Sequence, residues 1–137
     1  MDHIVELKRD QITMILRGQK SIEPKFMKEE EPPYNSVTED DTIYFQVKDG
    51  FAVAKANVSK VENYCNLTPD KVINLIEENK AELCPNDRLV EKACKSKYGT
   101  FVWLNQLQEI RPFRVKKSND TSTNWLIVED VNKIRTL

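Results

Sequence analysis

The sequence predicts an α+β fold: a curled, mainly antiparallel, β-barrel-like sheet with a short N-terminal helix and an inserted helical pair. Three observations lead there. The first 26 residues read as strand, helix, strand. A long hairpin turns at Lys48-Asp49-Gly50. A helical pair opening at Thr68-Pro69 then separates that hairpin from the closing strands. Consecutive hairpins with few crossover helices favour antiparallel pairing. A chain of 137 residues is expected to form one domain, spanning 1–137, with enough core to fold unstapled.

The elements follow in order. His3 to Lys8 alternates weakly and reads as a first strand. Asp10 is the expected N-cap of a helix carrying Ile12, Ile15 and Leu16 at helical spacing, and Gly18 stands where a helix ends in a left-handed residue. Lys20 to Phe26 is a second strand, marked as an edge by Pro24, which has no N–H for a ladder. Residues 27–41, with Pro32, Pro33 and many acids, read as an exposed loop.

Thr42 to Val47 is the first arm of the hairpin. In the second arm Ala52, Ala54, Ala56 and Val58 fall on one face, and Val61 breaks that register, predicting a bulge near Lys60. Thr68 is placed to cap the next helix, Pro69 suits its first position, and Leu67 can staple against Val72. Ile73, Ile76 and Leu83 continue its expected buried side until Pro85. A second helix carries Leu89, Val90, Ala93 and Cys94 on one side. Thr100 to Leu104, Gln108 to Val115 and Trp125 to Val128 are the remaining strands.

The hydrophobic fraction of 39% and charged fraction of 31% predict a thin core under a well-solvated surface, while a net charge of −1 argues against disorder. The charges are segregated. Six acids between 28 and 41 face one lysine, whereas Lys92 to Lys117 holds seven bases and only Glu109. A neutral total can therefore hide a basic face. Cys65, Cys84 and Cys94 form no CxxC pair, and with a single histidine, His3, neither a metal nor another cofactor is expected. His3 is expected at the surface. The opening MDHIVELK is not an apolar export signal, and no run approaches the ~20 apolar residues that span a bilayer. A cytoplasmic protein with reduced thiols and no membrane contact is the expectation.

The stretch Leu7-Lys8, Ile12, Ile15-Leu16, Gly18, Lys20, Ile22-Glu23 and Lys25 resembles the opening signature of ASCH domains in the PUA-like superfamily, whose usual form ends Gly-x-Lys-x-x-Glu-x-Arg. Here it reads Gly18-Gln19-Lys20-Ser21-Ile22-Glu23-Pro24-Lys25. Phe51 to Val61, Phe101 to Phe113 and Trp125 to Val128 look like that family's central and closing strands. The resemblance implies a PUA-like fold and RNA or nucleotide binding. Lys25 stands where the family has arginine, which forfeits the rigid bidentate fork.

The motif also has a physical content of its own. Ser21, Glu23 and Lys25 share one face of a strand, and Lys20, at the helix–strand corner, can turn towards them. A lysine beside a carboxylate offers donors and acceptors to a polar ligand: Glu23 towards a base amino group, Lys20 towards a phosphate or carbonyl. A mere surface ion pair would be worth under about 1 kcal/mol. Lys55 on the hairpin, with Arg111 and Arg114 around Phe113, completes the candidate binding set, although Phe113, Trp103 and Trp125 are themselves expected in the core.

The alternative is a small hydrolase acting on RNA or a modified nucleoside. The resemblance extends to proteins that remove an acyl group from modified nucleosides with a lysine matching Lys20, and to others with nuclease activity. Where the acyl-cleaving branch has threonine, this chain has Glu23, and its central strand offers Lys55 and Asn57 in place of an acid. Lys20 and Glu23 would then be the catalytic pair; Ser21 lacks an activating partner in sequence. A binding domain is favoured over an enzyme. A third reading, a protein-interaction adaptor, would use the acidic 28–41 loop or the exposed helices. Oligomeric state stays open, with 20–26 as an edge strand that permits a dimer.

Overall fold

The structure is a computed structural model that describes residues 1–48, 50–115 and 124–136. Strand β1 (Asp2–Leu7), helix α1 (Arg9–Leu16) and strand β2 (Ile22–Met27) form the opening unit. Strands β3 (Thr42–Val47) and β4 (Ala52–Tyr64) form the hairpin. Helices α2 (Pro69–Glu78), α3 (Lys80–Leu83) and α4 (Asp87–Cys94) follow, then β5 (Tyr98–Val115), β6 (Trp125–Val128), a 3₁₀ turn at Val131–Lys133 and the short β7 (Arg135–Thr136).

The strands run in the order β2-β5-β4-β3-β1-β6, with β7 pairing on β5. Only β1 and β3 pair in parallel; the other described pairings are antiparallel. The sheet curls into a half-barrel with β2 and β6 as its two edges. The predicted curled, mainly antiparallel α+β fold is thus the one observed.

Local rules explain most of the punctuation. Gly18 has φ +74°, the left-handed value that releases the chain after α1. The Thr68 hydroxyl accepts the Lys71 N–H at 3.3 Å with Pro69 at the first helical position, and the Asn86 side chain caps α4 through the Leu89 N–H at 2.8 Å. The β4–β5 register shifts between Val58 and Lys60, where the bulge was expected. At the hairpin turn the Gly50 N–H reaches the Val47 carbonyl at 2.9 Å; Asp49 lies outside the described residues.

Five expectations are corrected. Asp10 is not the N-cap of α1: Lys8 holds that position, and Asp10 sits in the first turn, where its charge still favours the helix N-terminus. The helix from Pro69 does not run unbroken to Leu83, because the chain leaves helical geometry at Asn79, whose side chain bonds back to the Leu75 carbonyl at 2.9 Å. Ile73 is 46% exposed, since the buried stripe of α2 runs through Val72 and Ile76. Thr100–Leu104 and Gln108–Val115 are one strand, carried across its midpoint by Gln106 at φ +51°. His3 is fully buried rather than at the surface.

Three apolar clusters hold the fold. The largest lines the concave side of the sheet, where Val5, Ile43, Phe45, Ala54, Ala56, Val58 and Val102 pack with Ile12 and Ile15 of α1. The second joins Ile22, Phe26 and Phe101 to Leu67, Val72, Ile76 and Leu83 of the helical insertion. The third surrounds Phe113 with Ile4, Ala52 and Val131. Because successive side chains of β2 alternate, Ile22 and Phe26 anchor the helices while Glu23 and Lys25 turn to the concave side. Among the described residues no helix is long and apolar enough to cross a membrane.

Candidate functional site

Lys20 and Glu23 come together in the interior. Each retains only 5% of its surface exposed, and Lys20 Nζ lies 3.4 Å from Glu23 Oε2. At that distance the contact is an ion pair; the lysine's short hydrogen bond, 2.7 Å, goes to Gln11 Oε1 on α1. Gln11 is a member of the cluster that sequence reasoning missed. Its only signal was a polar residue directly before Ile12 on an amphipathic helix. Glu23 sits opposite Val102, whose side chain belongs to the concave cluster, so the carboxylate points to that side.

Glu23 Oε2 is buried and accepts no hydrogen bond from any described residue. Burial pushes the Glu23 carboxyl above the ordinary carboxylate range, against the pull of the Lys20 and Lys25 ammonium groups. The pair is therefore an ammonium steadied by an amide, beside a carboxylate with unused acceptor capacity. An exposed pair would gain little from its Coulomb energy, whereas an internal one is strongly coupled.

Two residues along the same face, Lys25 stands opposite Thr100 and opens onto a cleft of about 950 Å³. Lys25 to Met27 of β2 line one wall and Trp125 and Ile127 of β6 the other, so the cleft is the seam where the two edge strands of the half-barrel fail to meet. Helix α4 closes one side with Arg88 and Lys92, joined by Lys95 at its C-cap. Lys20 and Glu23 are not in the lining themselves; Glu23 precedes Lys25 by two residues on the same face of β2. Burial, with Lys92 second, depresses the Lys25 ammonium below the usual lysine range, while Glu23 and Glu31 oppose the shift.

No protein-family model matches this chain, and no curated protein does. Solved structures do match. The ASCH protein of Zymomonas mobilis superposes on 81% of this chain and 71% of its own, at 14% identity and a TM-score of 0.61. A serine-to-alanine mutant of that protein gives 15% identity and 0.62 over 81% of this chain and 72% of its own. The fold is that of an ASCH domain. A solved hypothetical protein, 17% identical, matches across its full length and 80% of this chain with a TM-score of 0.52. The PUA-like expectation is met at the level of the fold, and likeness at these identities speaks to the fold alone.

The ASCH fold divides the remaining candidates. Ser21 is drawn to the helical insertion, where its hydroxyl donates to Glu82 Oε2 at 3.0 Å and its N–H to the Glu82 carbonyl. Lys55 pairs opposite Tyr44 and Gln108, on the face of β4 that points away from Ala54, Ala56 and Glu23. Arg111 and Arg114 are exposed near the far end of β5, with the Arg114 guanidinium 4.7 Å above the Phe51 ring. These three bases are not part of the Lys20–Glu23–Lys25 row. Lys116 and Lys117, the end of the basic run, lie outside the described residues. Phe113 and Trp125 are buried, as expected, and Trp103 packs against the second cluster under Lys60, whose Nζ is 4.5 Å from its ring.

Trp125 also explains His3. The indole N–H donates to His3 Nδ1 at 3.1 Å, which makes Nε2 the protonated nitrogen, and Nε2 donates to Asp41 Oδ2 at 2.8 Å. Asp41 accepts the Thr38 N–H at 2.9 Å as well. Burial would raise the Asp41 carboxyl, but these hydrogen bonds outweigh it and hold the group below the usual range. The array ties β1, β6 and the start of β3 together behind the cleft wall. Among the described residues no three His, Cys, Asp or Glu side chains gather as metal ligands do.

Proposed function

We propose that this chain binds RNA or a nucleotide at the seam between β2 and β6, with Glu23 receiving a base amino group. The observation that carries the reading is the buried, hydrogen-bond-free oxygen of Glu23 held beside Lys20. Beyond the Lys20 ammonium at 3.4 Å this buried oxygen has acceptor capacity to spare, so a ligand donor is the natural complement. A base amino group supplies such a donor. The basic side of the cleft, Lys25 with Arg88, Lys92 and Lys95, suits a negatively charged backbone. The ASCH fold is consistent with such a role.

The test measures binding of short single-stranded RNAs and of the four nucleoside monophosphates, at low and moderate salt, by wild type, Lys20→Ala and Glu23→Ala. The same preparations are assayed for hydrolysis of acylated cytidine. The expected result is base-selective binding that survives moderate salt and is lost in Glu23→Ala. Acyl cleavage dependent on Lys20 would favour the hydrolase instead. The cleft reading fails if neither substitution alters either property while the fold is retained.

A further inference from the structure

We propose that Lys25 and Lys92 form a phosphate-binding subsite in the seam cleft, so that the chain takes phosphorylated ligands and discriminates against free nucleosides. This deepens the nucleotide reading and rests on it for the base, but the subsite stands on its own geometry.

Arg88 and Lys92 of α4 and Lys95 at its C-cap are spaced four and three apart, which places them on one side of the helix. All three line the cleft that Lys25 enters from the opposite element, β2. Three acids share the lining, Glu29, Glu31 and Glu91, but Glu91 is engaged by Lys95 at 3.6 Å. Lys28 joins the bases, leaving five cationic side chains against three anionic ones. Neither Lys25 nor Lys92 makes an ion pair within 4.0 Å among the described residues.

Two ammonium groups from separate elements thus converge without a bound carboxylate between them. Lys25 is half-buried, and Lys92 is close enough to disfavour its charge. That arrangement is repulsive, and a phosphate anion between the two groups reverses its sign. Lysine suits the task because an ammonium binds phosphate as a point charge from many directions. Two sources supply such a group, the terminal phosphate of a mononucleotide and the phosphodiester of an RNA strand.

The experiment uses the full chain and four probes: inorganic phosphate, cytidine, cytidine 5′-monophosphate, and a short single-stranded RNA without a terminal phosphate. Binding is measured by titration calorimetry and by ligand-induced rise in Tm for wild type, Lys25→Met, Lys92→Met, Lys92→Glu and the control Lys80→Met. Lys92 and Lys80 are exposed, so their variants retain the fold. The subsite is supported if wild type binds the monophosphate at least about tenfold more tightly than cytidine, with that preference lost in Lys25→Met and Lys92→Met and kept in Lys80→Met. Equal binding of the RNA with the same dependence on Lys92 would assign the subsite to a phosphodiester. If inorganic phosphate binds through Lys92 while no nucleotide binds better than phosphate, the subsite holds and the base reading falls. If nucleotides bind in a Glu23-dependent way that Lys92→Glu leaves unchanged, the subsite is refuted and the base reading survives. No Lys92-dependent binding of any probe refutes the subsite outright.

Discussion

Removing the charge from Lys20 tests the interior pair most directly. In Lys20→Met the apolar chain is retained and the ammonium lost, so Glu23 stays in a site that exposes 5% of its surface with no cation beside it. Breaking a buried pair from one side costs about 3–5 kcal/mol, because the remaining charge is uncompensated. For a chain of this length that corresponds to a fall in Tm of roughly 10–25 °C.

The pH dependence of that cost has a definite sign. Burial already lifts the folded-state pKa of Glu23 above the 4.5 of a free glutamate, and Lys20 is the chief group pulling it back. Without Lys20 the folded pKa rises further, and the folded state takes up a proton that the unfolded state lacks. Stability of the variant therefore falls as pH climbs from about 4.5 to the new folded pKa, by up to about 1.4 kcal/mol per pH unit. Urea denaturation from pH 5 to pH 8 reads this directly: a cost near the full value at about pH 8 and a smaller one at about pH 5. Lys20→Met/Glu23→Leu should recover most of the loss, the mark of strong coupling between the two groups. A cost below about 1 kcal/mol at pH 8, or one that grows towards acid, would refute an interior, coupled pair.

Other perturbations have equally definite outcomes. Gly18→Ala meets no steric clash but forces a β-carbon into φ +74°, so thermal melting should show a loss of about 1 kcal/mol. His3→Ala strands the Trp125 indole N–H and removes one Asp41 partner, for an expected loss of about 2–4 kcal/mol with a changed tryptophan emission. Asp41 contributes stability that is complete above about pH 4 and lost as pH falls through its depressed folded pKa; Asp41→Asn should remove that acid limb from a denaturation series. Lys25 gives a slope of the same sign in an alkaline window. Its folded pKa lies below 10.5, so wild-type stability relative to Lys25→Met should rise as pH increases through that folded value towards 10.5.

What could be read from the sequence was what local chemistry decides. Gly18, Thr68-Pro69 and the alternation of Ala52 to Val58 each obey a rule that needs no tertiary partner, and each stands where expected. Lys20 and Glu23 were legible as a pair because three residues across one corner suffice to bring them together. His3 was not, since its partners are 38 and 122 residues away. Gln106 hid the continuity of β5, because a left-handed non-glycine residue within a strand leaves no pattern in the periodicity. Arg88, Lys92 and Lys95 resembled the solvated face of any small helix. They acquire meaning only when α4 closes the open side of a barrel whose edge strands are far apart in sequence.

The two buried polar clusters differ in a way that separates structure from site. In the Trp125–His3–Asp41 array the indole N–H and both imidazole nitrogens are matched, so the array is complete as it stands and joins strands as a structural cluster does. The Lys20–Glu23 cluster is incomplete: Gln11 satisfies the lysine, yet Glu23 Oε2 accepts no hydrogen bond from a described residue. An apolar pair of similar volume would hold the edge strand at least as well as a buried ion pair. Packing alone therefore does not account for a lysine and a carboxylate at this corner, and the proposed ligand-binding role would. The same reasoning predicts that Glu23→Gln, which keeps an oxygen but places a donor beside it, should preserve folding while weakening a ligand that donates to both carboxylate oxygens. Circular dichroism and RNA titration of one preparation would show it, and unchanged affinity with an intact fold would return Glu23 to a structural role.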